Sequence, residues 1–334
     1  MLNIAKSVLL AGMVATGLSV VAPAGAQQAD GACIPFTWTT LGTAGGPMPT
    51  PDRGEPSNLL RVGDRHILVD TGDGTVNQLG RLGMNLGAVD TVFISHHHLD
   101  HTGGLAAVVG LRWMNSFPGP LTVYGPPGTR ELVDGLITSM QPQARIGFGV
   151  GAAGSPPADA VRVIELMNGQ RVEQVPLTVT AAANTHFDHD GERGAPGAQS
   201  LSYRFDLADR SITYSGDTGP SPALTRLAAG TDLLVTEIMD FEALIEEISR
   251  QRPDMPPTIR EQVERHLFTH HLTAEQVGQM AQSADAKQVL LTHYAIPPTP
   301  LAASAGRLLD GIRANYAGAV HFGRDLGSLD VGCR

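Results

Sequence analysis

The feature that most constrains this chain is the eight-residue run Ser95–Thr102, which has the sequence SHHHLDHT. It directly follows the apolar residues Val92–Ile94, which predict a buried strand, and it precedes a helix-like stretch, Leu105–Asn115. Four candidate metal ligands, His96, His98, Asp100 and His101, fall within six positions of this run. A buried strand that ends in such a turn directs several side chains into one space, so the run predicts a metal site at the end of that strand.

The arrangement suits two adjacent metal ions better than one. Side chains alternate along an extended chain, which places His96 and His98 on the same side and His97 on the opposite side. Asp100 and His101 come from the turn beyond, where the chain changes direction. We therefore expect His96 and His98 to bind one ion, and Asp100 and His101 to bind the other.

The pattern His-x-His-x-Asp-His after a strand resembles the signature of the metallo-β-lactamase superfamily. The resemblance covers the chain from about Leu41 to its end, and it implies an α/β (α+β) fold, a four-layer αββα sandwich with a metal centre at one sheet edge. It also implies three further ligands, each just past a strand: His186, Asp217 and His293. His186 would complete the first metal site, with His189 as the alternative; His293 would complete the second, and Asp217 would bridge the two ions.

Two hairpins support this architecture. In the first hairpin a short turn separates Ser57–Val62 from His66–Asp70. In the second, a short turn separates Ser200–Phe205 from Ser211–Ser215. Each hairpin ends in an acidic turn, which predicts two similar halves of one sandwich. The resemblance makes Asp70 a support for the metal-binding turn rather than a ligand, while helix capping and turn chemistry are the alternative.

Helices alternate with strands in the rest of the chain, as in α/β proteins. The sequence predicts helices over Thr75–Leu82, Leu105–Asn115 and Thr129–Met140, and a long loop over Gln141–Asp159. An amphipathic helix begins at Phe241; with Pro256–Leu267 it could cover the site, form a dimer contact or pack on the surface.

The segment His270-His271-Leu272-Thr273 resembles a His-Thr motif of the ribonuclease Z and arylsulfatase-like branch. In that branch the histidine lies close to the metals and protonates the leaving group, which is general acid catalysis. Thr273 is suited to cap the helix that follows. His271 fits the spacing better than His270, and both remain candidates.

The resemblance implies a dinuclear metal-dependent hydrolase that uses a metal-bridging hydroxide to cleave a small ester, such as a phosphodiester or sulfate ester. Asp100 would orient the attacking water in addition to binding metal. The ligand types suit two divalent ions, Zn²⁺ first, with Mn²⁺ or Fe as alternatives. A mononuclear iron oxygenase of the same fold, a β-lactamase or lactonase, and a non-catalytic metal-binding module are the alternative functions.

The amino terminus predicts export. Lys6 precedes an apolar run that ends near Ala24-Gly25-Ala26, which is typical of a cleavable signal peptide over residues 1–26. We expect a single hydrolase domain over residues 27–334, secreted or periplasmic, with no stable membrane anchor after cleavage. Cys33 and Cys333 form a disulfide candidate that would tie the two ends together, with two free thiols as the alternative.

The net charge of the chain indicates which classes of partner it can bind. The formal net charge is −10, and no basic run is visible. A nucleic-acid partner requires a basic footprint, so this composition argues against nucleic acid and for a small-molecule ester. The sequence leaves a homo-oligomer open.

Overall fold

The computed structural model of the protein describes residues 33–46, 48–146, 155–188 and 198–333. Within these ranges the chain forms fourteen strands and ten α-helices. The strands are β1 (Phe36–Gly42), β2 (Ser57–Val62), β3 (Arg65–Thr71), β4 (Val89–Phe93), β5 (Leu121–Gly125), β6 (Val161–Glu165), β7 (Arg171–Gln174), β8 (Leu177–Ala183), β9 (Leu201–Asp206), β10 (Ser211–Tyr214), β11 (Leu233–Met239), β12 (Gln288–Ala295), β13 (Ala319–Phe322) and β14 (Gly327–Asp330). The helices are α1 (Thr75–Arg81), α2 (Leu99–Thr102), α3 (Leu105–Met114), α4 (Thr129–Ser139), α5 (Gln141–Ile146), α6 (Pro222–Leu227), α7 (Phe241–Gln251), α8 (Pro257–His270), α9 (Ala274–Ser283) and α10 (Ala302–Arg313).

The strands form two mixed sheets of seven strands each. The first sheet has the order β14-β1-β2-β3-β4-β5-β6, and the second has the order β13-β12-β11-β10-β9-β8-β7. In the first sheet the β2–β3 hairpin is followed by the parallel strands β4, β5 and β6. In the second sheet the β9–β10 hairpin is followed by the parallel strands β11, β12 and β13. The prediction of two similar halves built on two hairpins is confirmed.

Three groups of buried apolar side chains divide the molecule into four layers. Between the sheets, aromatic rings of the first sheet meet those of the second, as with Trp38 and Phe205 at 6.0 Å and Phe93 and Tyr203 at 5.3 Å between ring centroids. Helices α1, α3 and α4 bury apolar residues against the outer face of the first sheet. Helices α6, α9 and α10 do the same on the second sheet. The predicted four-layer αββα sandwich is confirmed.

One edge of the sandwich collects the ends of the parallel strands from both sheets. The run Ser95–Thr102 leaves β4 there, and Asp217 and His293 come from the ends of β10 and β12. The backbone turns sharply at this edge, with φ of 57° at Asp70, 59° at Gly216 and 43° at His293. These left-handed conformations, which are costly for residues other than glycine, interrupt the extended chain and redirect its side chains.

The segment Gln141–Asp159 is more ordered than the sequence predicted. Its first six residues form α5, and a 3-10 turn covers Pro157–Ala160. The prediction of one long loop was wrong at both ends, because the glycines of the segment all lie between positions 147 and 154, outside both of these elements.

The two cysteines, Cys33 and Cys333, are disulfide-bonded, as the sequence predicted. The predicted signal peptide over residues 1–26 lies outside the described residues. In the part of the chain that the structure describes, every helix is too short or too polar to cross a membrane.

Candidate metal centre

The structure brings six predicted ligands and the bridging candidate into two adjacent clusters. The ligand atoms within each cluster all lie within 4.8 Å of one another. The first cluster contains His96, His98 and His186, and the second contains Asp100, His101, Asp217 and His293. The alternative third ligand, His189, lies outside the described residues.

Three nitrogens face one another in the first cluster. His98 Nδ1 lies 3.1 Å from His96 Nε2 and 3.2 Å from His186 Nε2. Three nitrogens bound to one Zn²⁺ at about 2.0–2.1 Å would be separated by similar distances. His97, as predicted, points elsewhere: its Nε2–H donates to Thr129 Oγ1 at 2.9 Å.

Asp217 lies between the two clusters. Its Oδ1 is 3.2 Å from His101 Nε2, and its Oδ2 is 3.1 Å from His293 Nε2. The same Oδ2 lies 3.9 Å from His96 Nε2 and 4.0 Å from His186 Nε2 in the first cluster. A carboxylate in this position can contact a cation in either cluster.

Unpartnered buried atoms indicate what these clusters can hold. Among the described residues, His101 Nε2, His293 Nε2 and Asp217 Oδ1 are buried and have no hydrogen-bond partner. Buried polar atoms are rarely left without partners in folded proteins. A divalent cation between these atoms would satisfy all three at once, so the residues fit divalent metal ions.

Asp70 is a hydrogen-bonding centre beneath both clusters. Its fully buried carboxylate accepts from Ser95 N–H at 2.7 Å, and from Ser95 Oγ–H, His101 Nδ1–H and Tyr214 O–H at 2.8 Å each. Ser95 Oγ in turn accepts from His96 Nδ1–H at 3.0 Å. Asp70 therefore fixes the ring of His101 directly and the ring of His96 through Ser95. In both rings the free nitrogen, Nε2, is directed into the site.

His271 lies beside both clusters and is held by a second buried carboxylate. Its Nδ1–H donates to Glu237 Oε2 at 2.8 Å, which leaves Nε2 for the site. Its ring centroid is 5.1 Å from that of His186 and 6.1 Å from that of His293. His270 is placed differently: its side chain contacts His266 and the Asp188 carbonyl, and its own carbonyl accepts from His186 Nδ1–H at 2.9 Å.

Burial sets the protonation state of the first cluster. It lowers the pKa of His96 well below the ordinary value and that of His186 to about 3, so both imidazoles are neutral and able to bind a cation. Burial also acts on His293, but the Asp217 and Asp100 carboxylates together outweigh it and raise the pKa of His293 to about 10. A metal ion that binds His293 must therefore displace a proton.

Sequence reasoning missed three residues of this region. Glu237 was taken only as part of a buried strand, although a fully buried carboxylate at the end of that strand needs a partner. Phe187 follows His186, and its ring contacts the first cluster. Glu55 is half-buried near Asp100, and burial together with the Asp100 charge raises its pKa.

Comparisons with known proteins agree with this geometry. A sequence profile described as the beta-lactamase superfamily domain matches residues 65–294. Ribonuclease Z of Mycobacterium avium (strain 104) is 30% identical over 299 residues, which are 88% of this chain and 97% of the relative.

Two solved structures share the fold. The metallo-beta-lactamase fold protein YhfI from Bacillus subtilis has a TM-score of 0.64 at 18% identity, over 89% of this chain and 100% of that one. Human tRNase Z, short form, has a TM-score of 0.59 at 21% identity, over 88% of this chain and 98% of that one.

The relatives overturn the expectation about partners. The prediction of a small-molecule ester, with nucleic acid argued against, was wrong, because the matching relatives are ribonucleases. The net charge of −10 is a sum over the whole chain and does not describe the charge near the site. Two divalent cations at one edge would supply local positive charge that the sequence count does not include.

Proposed function

Because the chain belongs to the metallo-β-lactamase superfamily, in its ribonuclease Z branch, we propose that it hydrolyses phosphodiester bonds in RNA. The chain is a metal-dependent hydrolase. The observation that carries the proposal is the His271–Glu237 pair beside Asp217. A phosphodiester of RNA has an alkoxide leaving group, and a half-buried proton donor next to the metal clusters meets that requirement.

The two clusters define which residues hold the ions in this proposal. His96, His98 and His186 hold one divalent ion, and Asp100, His101 and His293 hold the other, with Asp217 between them. Imidazole and carboxylate ligands in these numbers favour Zn²⁺. When bound, the ions supply an activated water as nucleophile and offset negative charge on the phosphate.

The protein's own residues perform the remaining steps. Asp100, half-buried at the mouth of the second cluster, accepts a hydrogen bond from the attacking water and orients it toward phosphorus. His271 donates the proton on its Nε2 to the departing oxygen. Glu237 accepts from Nδ1–H throughout, which holds the imidazole in place and stabilises its protonated form.

The test compares substrates and two neighbouring histidines. The full chain, loaded with Zn²⁺, is assayed on a labelled RNA hairpin with a single-stranded 3′ extension, on bis(p-nitrophenyl) phosphate, on p-nitrophenyl sulfate and on a β-lactam. We expect chelator-sensitive cleavage of the RNA and the diester only. His96→Ala should abolish it, whereas His97→Ala, the matched control, should keep it. Cleavage of the β-lactam or the sulfate with intact diesters would refute the proposal.

We further propose that the chain is exported and loses residues 1–26. Lys6, the apolar run and Ala24-Gly25-Ala26 support this, and so does the Cys33–Cys333 disulfide, because disulfides persist in oxidising compartments. Amino-terminal sequencing of the native protein should begin at Gln27. Recovery of the native protein from the cytoplasm with Met1 intact would contradict export and would not bear on the proposed reaction.

A further inference from the structure

Phe187 is an aromatic side chain in direct contact with the first metal cluster. We propose that its ring is a stacking platform for the nucleobase next to the scissile phosphodiester bond. The proposal rests on the proposed function and identifies a residue that would make the site prefer nucleotides over base-free phosphodiesters.

The position of the ring is the first observation. Its centroid lies 4.9 Å from that of His186, 5.2 Å from that of His98 and 5.7 Å from that of His96. All three histidines of the first cluster therefore border one phenyl ring. A phosphate between the two clusters would place its attached nucleoside within reach of this ring.

The opening of the site is the second observation. His98 is the one exposed residue of the two clusters, while the other six are buried or half-buried. The route to the first cluster therefore passes His98, whose ring borders Phe187. Leu99, the next residue along the chain, is 79% exposed.

The half-buried state of Phe187 fits a platform. Three imidazoles border the ring, and the residue as a whole keeps part of its surface accessible to solvent. Bases stack on aromatic side chains without regard to sequence, and loss of one such contact costs roughly 5- to 150-fold in affinity. A purely structural ring that only packs the ligands would act equally on substrates with and without a base.

That difference defines the experiment. The metal-loaded full chain is assayed on the dinucleoside phosphate ApA and on two analogues in which a tetrahydrofuran replaces one nucleoside or the other. We expect kcat/KM for ApA to exceed that for one of the analogues by roughly 5- to 150-fold. Phe187→Leu should abolish this ratio, and Phe187→Trp should preserve or increase it. Phe117→Leu, at another half-buried phenylalanine outside the metal centre, is the matched control and should leave the ratio unchanged.

A binding measurement separates stacking from catalysis. Calorimetry on the metal-loaded protein compares AMP with ribose 5-phosphate, and AMP should bind more tightly by a similar factor in wild type but not in Phe187→Leu. The metal content of each variant is determined in parallel. If Phe187→Leu loses metal, the test of stacking uses Phe187→Trp, which keeps an aromatic ring. Loss of the preference for AMP over ribose 5-phosphate in Phe187→Trp would contradict the proposal.

The outcomes for the two proposals are distinct. Equal losses on all three diesters in Phe187→Leu, with no difference between AMP and ribose 5-phosphate in wild type, would overturn stacking while leaving phosphodiester hydrolysis in place. Failure of the wild-type protein to cleave any of the diesters would count against the proposed function, and calorimetry would still decide the role of Phe187.

Discussion

Each of three site histidines has one ring nitrogen fixed by a hydrogen bond, which determines the nitrogen left to bind a metal ion or to donate a proton. His101 is fixed by Asp70, His186 by the carbonyl of His270, and His271 by Glu237. Such supporting partners are usually as important for metal affinity and proton transfer as the ligands themselves. The role of each histidine thus depends on a residue distant in the chain.

Glu237→Gln tests this dependence at the proton donor. Burial lowers the pKa of His271, but the Glu237 carboxylate outweighs burial and the net shift is upward. Without that charge the imidazole loses its proton at lower pH, so the alkaline fall of the pH–rate profile should move to lower pH. For RNA we expect kcat to fall by roughly 10²–10⁴, the usual contribution of a general acid.

A change of leaving group supplies the control for Glu237→Gln. p-Nitrophenolate departs without a proton, so hydrolysis of bis(p-nitrophenyl) phosphate should change much less than RNA cleavage. Equal losses on the two substrates would mean that Glu237 supports the fold or the metals rather than the proton donor.

At the residue scale, the sequence predicts what is local. The run Ser95–Thr102 places four candidate ligands within six positions, so alternation along the chain is enough to group them. Glu237 is different, because it meets a histidine 34 positions later, and the two come together only where the connection between α8 and α9 pairs with the end of β11, at Thr273 and Met239. No short-range pattern contains that pairing.

At the scale of elements, glycines let the loop after β1 approach the site closely. A Cβ atom on Gly46 would lie 2.1 Å from Asp100 Oδ2, and one on Gly45 would lie 2.6 Å from the Ala295 backbone nitrogen. The adjacent glycines Gly45 and Gly46 are visible in the sequence, but the element that they contact is not. The loop packs against both the metal-binding turn and the end of β12.

Gly46→Ala should therefore displace the Asp100 carboxylate. We expect metal affinity of the second cluster to fall by roughly 10- to 100-fold, measured by chelator competition. Gly80→Ala is the matched control, since Gly80 lies inside α1 with open space where its Cβ would be. That variant should keep wild-type metal affinity and gain about 0.5–1 kcal/mol of stability. Unchanged metal affinity in Gly46→Ala would show that Asp100 can move freely.

Regular elements were predicted where hydrophobic periodicity is strong. Both hairpins and helices α1, α3 and α4 lie where alternation or helical spacing placed them. The segment Gln141–Asp159 has little periodicity, and its two ends fold because they adjoin α4 and β6 rather than because of their own sequence.

At the scale of the whole molecule, the candidate ligands connect the two sheets. Four come from the turn after β4 in the first sheet, and His186, Asp217 and His293 come from the ends of strands in the second. Ions held by both sheets would bind the folded chain and not the unfolded one, so they would stabilise the fold.

Metal removal should reveal that linkage. At a free metal concentration 1,000 times the dissociation constant, one bound ion adds about 4 kcal/mol to the free energy of unfolding. Chelation should therefore lower Tm by roughly 5–15 °C in a thermal scan. His293→Ala should start from a lower Tm and respond less to chelator, and a Tm unaffected by chelator in the wild-type protein would refute the linkage.

The pairing of β14 with β1 has a consequence for biosynthesis. Asp330 to Gly327 pair with Thr37 to Thr40, so one edge of the first strand is completed by residues 287 to 293 positions later in the chain. A ribosome that adds about 5–20 residues per second leaves that edge open for roughly 15–60 s. Open strand edges pair with other chains, so nascent and carboxy-terminally truncated forms should be the species that aggregate.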